Sequence, residues 1–233
     1  MLGIIPARGG SKGISNKNIK ELAGKPLLAY TIDAALQSGI FKKVIVSTDS
    51  KEIADVARKY GAEVPFLRPH NISGDEISSD AVILHALQFY EIHNLYFEEV
   101  CKLQPTSPLR TAQDLSDAYQ IFRQGNWSFL VSVCECEHSP LWSGTLDNQN
   151  TLDDFLRPEV IQACRQKLPK YYRLNGAVYM AKANAFLKAE SFFGKNGTAY
   201  IMSQEKSIDI DSYLDFSIAE LILNNIKNNA VSY

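Results

Sequence analysis

No long apolar run, no surplus of either charge and few cysteines: each of these shortfalls excludes a class of protein. Nothing approaches the roughly 20 consecutive apolar residues of a membrane-crossing helix, so no membrane partner is expected. The 24 lysines and arginines face 26 aspartates and glutamates, which removes the basic surplus of a general nucleic-acid binder. The first residues hold no charged head followed by a long apolar stretch, because glycine arrives at Gly9. No secretory leader is expected, and the cytoplasm is the default compartment. Of the four cysteines, Cys101 and Cys134 lie in apolar runs that suit small buried residues, and Cys134-x-Cys136 has no second pair to complete a zinc site. With Cys164 they read as reduced thiols, and the four histidines are scattered without metal-pair spacing. Two phosphate signatures are missing as well, G-x-x-x-x-G-K-[ST] and G-x-G-x-x-G.

What is present is organised around residues 4–18, I-I-P-A-R-G-G-S-K-G-I-S-N-K-N. An apolar run, Leu2 to Ile5, opens into a loop with Gly9, Gly10 and Gly13. Residues 1–20 carry Arg8, Lys12, Lys17 and Lys20 and no acidic side chain. Glycines let backbone N–H groups turn towards an anion, and the cations neutralise it, so the loop is a candidate polyanion cradle. A solvated turn is the plainer reading of the same residues.

The 233 residues, 45% of them hydrophobic, suffice for one full core. Leu27, Leu28, Ile32, Ala35 and Leu36 are spaced for a helix that Pro26 begins and Gly39 ends. Val44–Thr48 is a β-branched run, followed by Asp49-Ser50 as a cap for a helix reaching Tyr60. Glu63–Leu67 and Val100–Leu103 read as strands, with a helix from Ser78-Ser79-Asp80 between them. A helix over Ala112–Phe122, a strand over Phe129–Val133 and a further strand and helix from Leu174 continue the rhythm. Such alternation predicts an α/β fold, a mostly parallel sheet with helices on both faces, with ligands at the carboxyl ends of the strands.

Residues 135–172 break the rhythm with Pro140, Pro158 and Pro169 and a cluster of basic side chains. This is either a solvated face or an inserted arm that packs on a partner subunit. Beyond it, Ser207-Ile208-Asp209-Ile210-Asp211 alternates, setting the isoleucines on one face of a strand and the carboxylates on the other. Paired carboxylates at a strand end form a hard-oxygen site suited to Mg²⁺. Helix capping is the competing explanation for Asp211, with Asp215 reaching back, but fits Asp209 poorly. A final helix follows, with Phe216, Ala219, Leu223 and Ile226 on one face.

In order along nearly the whole chain, I-I-P-A-R-G-G-S-K-G…K-N (4–18), V-S-T-D (46–49), L-R-P (67–69) and S-S (78–79) are followed by L-Q-P-T-S-P-L-R (103–110). Then come R-x-x-L-P (165–169), R-x-N-G-A-V-Y (173–179), F-F (192–193) and S-I-D-I-D (207–211). With these motifs the sequence resembles the CMP-sialic acid synthetases, or acylneuraminate cytidylyltransferases, with CMP-legionaminic acid synthetases among them. The resemblance implies a single cytidylyltransferase domain over 1–233, of nucleotidyltransferase, glycosyltransferase-A-like and Rossmann-like architecture, forming a homodimer through the 135–172 arm. It implies transfer of CMP from CTP to the anomeric hydroxyl of a nine-carbon 2-keto sugar acid, with release of pyrophosphate. Arg8, Lys12, Lys17 and Asn18 would bind the triphosphate, and Arg68 and Ser79 would read the cytosine edge. Gln104, Arg173, Asn175, Tyr179, Phe192 and Phe193 would line the sugar pocket, with Arg165 delivered across the dimer. Asp209 and Asp211 would hold Mg²⁺, with Mn²⁺ as a substitute, and Arg8, Lys17 and both aspartates would carry the chemistry. No residue is assigned as general base.

Trp142 sits where some members of that family carry lysine near the sugar, so the acid itself stays open. N-acetylneuraminate and legionaminic acid rank ahead of pseudaminic acid. An eight-carbon acid, as in the CMP-Kdo synthetases, and a non-catalytic nucleotide- or sugar-binding module are the remaining alternatives.

Overall fold

A computed structural model describes residues 1–10, 13–153, 155–161 and 168–231. Strand β1 (Leu2–Pro6) lies inside the sheet with Leu2, Ile4 and Ile5 fully buried. It enters the glycine-rich loop, a 3₁₀ turn (Lys17–Ile19) and a small hairpin of β2 (Glu21–Leu22) and β3 (Lys25–Pro26). Helix α1 (Leu27–Ser38) starts one residue later than Pro26 and ends at Gly39, whose φ of 68° suits a residue without Cβ. Then come β4 (Lys43–Ser47), α2 (Lys51–Lys59), α3 (Ser79–Ile92), β5 (Glu99–Lys102), α4 (Ala112–Gln124) and β6 (Phe129–Glu135). The chain closes with α5 (Pro158–Ile161), β7 (Tyr172–Lys182), α6 (Ala183–Ala189), β8 (Gly197–Met202) and α7 (Tyr213–Val231). Ser50 and Ser78 cap α2 and α3 by accepting from Ile53 N–H and Ala81 N–H.

The sheet runs β4-β1-β5-β7-β6-β8. The strands are parallel except β7, which is antiparallel to both neighbours. Helices cover both faces. Leu28 and Ile32 of α1 and Leu115 and Phe122 of α4 join one core with Ile5, while Ile83 and Leu87 of α3 and Phe186 of α6 join the other with Leu2 and Ile4. The alternation of β1 between the two clusters is the period of two that a strand sandwiched between helices requires.

Three expected details differ. Glu63–Leu67 makes only two isolated bridges, Ile45 to Glu63 and Thr48 to Leu67; Pro65 inside the run removes a ladder donor. Ser207–Asp211 is extended from Ile208 onward but pairs with no strand, although Ile210 is buried and Asp211 exposed as alternation demands. Ile226 is 57% exposed, so the buried stripe of α7 stops at Leu223.

Residues 136–171 leave β6 and return to β7 at adjacent points: Cys136 N–H donates to the Tyr171 carbonyl and Lys170 pairs with Glu135. Within this excursion lie α5 and a 3₁₀ turn, Pro140–Trp142. Among the described residues no helix is long and apolar enough to cross a membrane.

Candidate active site

The carboxyl ends of β1 and β5 open on one cavity of about 360 Å³. Arg8, Gly13, Lys17, Asn18, Arg68, Ser79, Gln104 and Asp211 all line it. Residues expected to meet a nucleotide and a sugar acid thus converge from five separate segments. Lys12 and Arg165 lie outside the described residues.

The glycine-rich loop is fixed from several sides. Gly9 N–H donates to Asp49 Oδ1 at 2.8 Å, and the Asn18 amide donates to the Arg8 carbonyl at 2.9 Å. A Cβ on Gly13 would stand 2.5 Å from the Asp211 carbonyl oxygen, so only glycine lets the loop close against the 208–211 segment. Arg8 pairs with Asp75. Lys17 donates to the Ile210 carbonyl at 2.6 Å and to Asp211 Oδ1 at 3.2 Å. Arg68 is 6% exposed and donates to the Ser47 carbonyl. Burial draws its pKa down, Asp49 opposes this and Arg8 adds to it.

Asp209 has a different electrostatic setting. Its Oδ1 is buried without a partner, and its pKa is raised, first by burial. The Thr106 hydroxyl and Lys17 oppose the rise, while Asp211 and Asp215 add to it. Asp209 shares with Arg173, Glu137 and Ser207 a neighbouring cavity of about 440 Å³. Helix capping does not employ Asp209 or the Asp211 side chain: Ser212 N–H and hydroxyl donate to Asp215 Oδ2 at 2.7 Å, and Ser212 Oγ accepts from Asp215 N–H. Neither carboxylate therefore serves as a cap; Asp211 accepts from Lys17 instead.

A bulge in β7 brings Gln104 to Asp209. Val131 pairs with Tyr179 and Val133 with Leu174, so the residues between them loop out opposite Ser132. Gly176 sits in that bulge at φ 76°; a Cβ there would stand 2.1 Å from Gln104 Oε1 and 3.2 Å from Asp209 Oδ2. Gln104 Oε1 is also buried without a partner. Gly176 thus packs against both side chains, and Gln104 and Asp209 each keep one buried oxygen without a donor. Arg110, 2% exposed, secures the arrangement by donating to the Ala177 carbonyl at 2.7 Å, and burial lowers its pKa to about 10.

The bulge also turns Asn175 inward. It is 1% exposed, accepts from Ser132 Oγ at 2.6 Å and donates to Ser207 Oγ at 2.9 Å. Its amide is engaged by the protein, so it ties β6 to the segment carrying Asp209 rather than facing a ligand. Tyr179 and Phe192 are buried at 7% and 1% exposure, whereas Phe193 is 52% exposed. Their rings gather about Tyr179, with centroid distances of 5.8 and 6.4 Å. Sequence reasoning missed Lys102, a buried ammonium between this aromatic group and Ser79; a lysine inside the apolar run Val100–Leu103 was the available signal. It also missed Asp49 as the anchor of Gly9.

A larger cavity of about 540 Å³ lies at the opposite end of β5, beside Glu99, Arg123 and Lys182. Glu99 accepts there from Tyr119 and Arg123, and Lys182 donates to Asn126.

Comparison with known proteins is consistent with this geometry. By structure, the fold is similar to that of a CMP:2-keto-3-deoxy-manno-octonic acid synthetase complexed with CTP, with a TM-score of 0.71 over 96% of this chain and 98% of the other at 15% identity. By sequence, the chain is 37% identical to the pseudaminic acid cytidylyltransferase of Campylobacter jejuni over 94% of both proteins. It is also 37% identical to the CMP-N,N'-diacetyllegionaminic acid synthase of Legionella pneumophila over 96% of both. The N-acylneuraminate cytidylyltransferase of Escherichia coli is 40% identical over 94% of this chain and 51% of that protein. The family model for cytidylyltransferases matches residues 2–227, and the chain belongs to that family of nucleotidyltransferase enzymes.

Proposed function

We propose that this enzyme transfers CMP from CTP to the anomeric hydroxyl of a nine-carbon 2-keto sugar acid of the nonulosonic class, releasing pyrophosphate. The observation that carries the reading is one cleft in which Arg8 and Lys17 face Asp211 and Gln104, whose Oε1 is unpartnered. Anion-binding cations on one side and electron-rich oxygens on the other suit a nucleoside triphosphate that arrives with a metal and an incoming hydroxyl.

The catalytic demand is positional and electrostatic. The hydroxyl must stand in line with the departing pyrophosphate, and the charge that builds on the leaving group must be neutralised. Arg8 and Lys17 supply that charge, Lys12 adding to it, while Gly9 and Gly13 let the backbone approach the phosphates. Arg68 and Ser79 meet the base. Gln104 and Arg173 would hold the acid's polar groups, with Phe193 offering an exposed ring. Asn175, Tyr179 and Phe192 support them from below.

Asp209 and Asp211 fit a divalent cation, Mg²⁺ or Mn²⁺. A buried carboxylate oxygen with no donor, and a pKa raised by burial and neighbouring carboxylates, is stabilised by positive charge. Among the described residues no group of three or more acidic, histidine or cysteine side chains is clustered for a metal. Two carboxylates with substrate phosphates form the usual magnesium arrangement in phosphoryl-transfer sites. When bound, the ion would supply charge neutralisation at the phosphates.

The homodimer is part of the same reading. It is supported by Tyr172, Leu174 and Ile201, exposed apolar side chains at the start of β7 and on the edge strand β8, with Arg165 of the arm working across the interface.

The test is pyrophosphate release with CTP and Mg²⁺ against a panel of N-acetylneuraminate, legionaminate derivatives, pseudaminate and Kdo. Release with one nonulosonic acid is expected. Release with Kdo alone would move the reading to the eight-carbon acids, and silence across the panel would leave a nucleotide- or sugar-binding module.

A further inference from the structure

Lys102 ends β5 as a cation in the interior, 5% exposed. Its ammonium donates to Asp80 Oδ1 at 2.6 Å and to Ser79 Oγ at 2.9 Å. It also lies 4.2 Å from the centre of the Tyr179 ring and 4.9 Å from that of Phe192. Carboxylate, hydroxyl and aromatic faces thus account for its N–H groups. An apolar pair of similar volume would fill such a position with little or no loss of stability. The fold alone does not call for the charge.

We infer that Lys102 is a positioning residue for the nucleobase, setting the choice of cytosine over uracil through Ser79. This rests on the nucleotide reading of the 360 Å³ cavity, which Ser79 and Arg68 line. An oxygen that accepts from an ammonium cannot aim its own hydrogen at that ammonium. Lys102 therefore turns the Ser79 O–H outward, and its positive charge disfavours a second donor approaching the same oxygen. Beside the Arg68 guanidinium, Ser79 then presents a donor. Cytosine offers adjacent acceptors, O2 and N3, to such a pair. Uracil carries a hydrogen on N3 and would meet it donor against donor. Without the charge behind it, Ser79 is free to accept as readily as to donate, and the distinction between the bases weakens.

The test compares CTP with UTP in two readouts, pyrophosphate release and calorimetric binding, for wild type, Lys102→Met, Ser79→Ala and the double variant. Lys102→Met is expected to lower the CTP:UTP ratio in kcat/KM and in Kd on the order of tenfold, the value of about one hydrogen bond. The loss should fall on CTP and appear in KM. Ser79→Ala should lower the ratio similarly, and the double variant no further, because both substitutions remove the same oriented donor. A merely structural lysine would weaken both nucleotides equally, and an unchanged ratio or an additive double variant overturns the inference. Should Lys102→Met fold poorly, Lys102→Met with Asp80→Leu supplies an apolar pair in which the same ratio is read. Wild type that binds neither nucleotide would refute the nucleotide reading itself. Wild type that prefers CTP, with Lys102→Met preferring it equally, refutes only the role of Lys102.

Discussion

Asp209 is the position where stability and activity should move in opposite directions. Its carboxylate is partly buried, Oδ1 has no partner, and its pKa is raised by burial ahead of the neighbouring carboxylates. Leaving a buried charged acceptor unmet costs about 1–3 kcal/mol. Asp209→Asn removes the charge and keeps the shape. In metal-free buffer at neutral pH the variant should therefore be more stable than wild type by about 1 kcal/mol, or roughly 2–4 °C in Tm for a chain of this size. The sign with pH follows from the raised pKa. Between the unfolded and folded values the native state holds the extra proton, so wild-type stability falls as pH rises through that window, and the difference from the variant grows. Added Mg²⁺ should reverse the order by stabilising wild type and not the variant.

Activity should respond the other way, with kcat down by on the order of 10²–10³. Calorimetry across pH with and without Mg²⁺, together with turnover per folded molecule, decides the matter. A variant that unfolds more easily in metal-free buffer while turning over normally would refute both the orphaned-charge account and the metal assignment.

Two smaller perturbations probe the scaffold. Gly176→Ala places a Cβ 2.1 Å from Gln104 Oε1 at a φ of 76°; it should cost about 1–2 kcal/mol in denaturant unfolding and, by displacing Gln104, about 10²-fold in kcat/KM. Asn175→Ala strips Ser132 and Ser207 of a buried partner; it should cost about 2–3 kcal/mol, with the remaining folded enzyme binding CTP normally in calorimetry.

The parts of the fold that were legible are those encoded by periodicity and local chemistry. Ser50, Ser78 and Gly39 announce helix ends because capping involves neighbours in sequence. The buried strands announce themselves as β-branched runs. Strand direction is not encoded in that pattern, so nothing in Leu174–Met180 foretold that β7 runs against its neighbours. The alternation in Ser207–Asp211 holds for buried Ile210 and exposed Asp211, while Ile208 and Asp209 are both half-buried and line one cavity; the ladder was read incorrectly, because the segment leans on Thr106 through one backbone bond. Asn175 was assigned to the ligand together with the rest of its motif. The bulge that turns it inward depends on the register with β6. Lys102 escaped because its partners, Ser79 and Asp80, are 23 and 22 positions away.

The charges of the site also show why no residue in it acts alone. Lys17 neutralises Asp211 and holds the Ile210 carbonyl, and Arg8 is paired with Asp75. On the proposed reading, a cation that would meet a triphosphate and a carboxylate that would meet a metal are paired with each other. A divalent cation held by Asp211 would compete with the Lys17 ammonium, and a triphosphate that drew Lys17 away would free Asp211. Each ligand would thus remove an obstacle to the other, and since coupling between binding sites is reciprocal, CTP would tighten metal binding by the same factor by which the metal tightens CTP. Asp209, which Lys17 does not directly bridge, keeps an unmet oxygen that would be open to the metal. The logic of such a cleft would lie in balance: weakening either partner of the Lys17–Asp211 pair should change the affinity for both ligands, not for one.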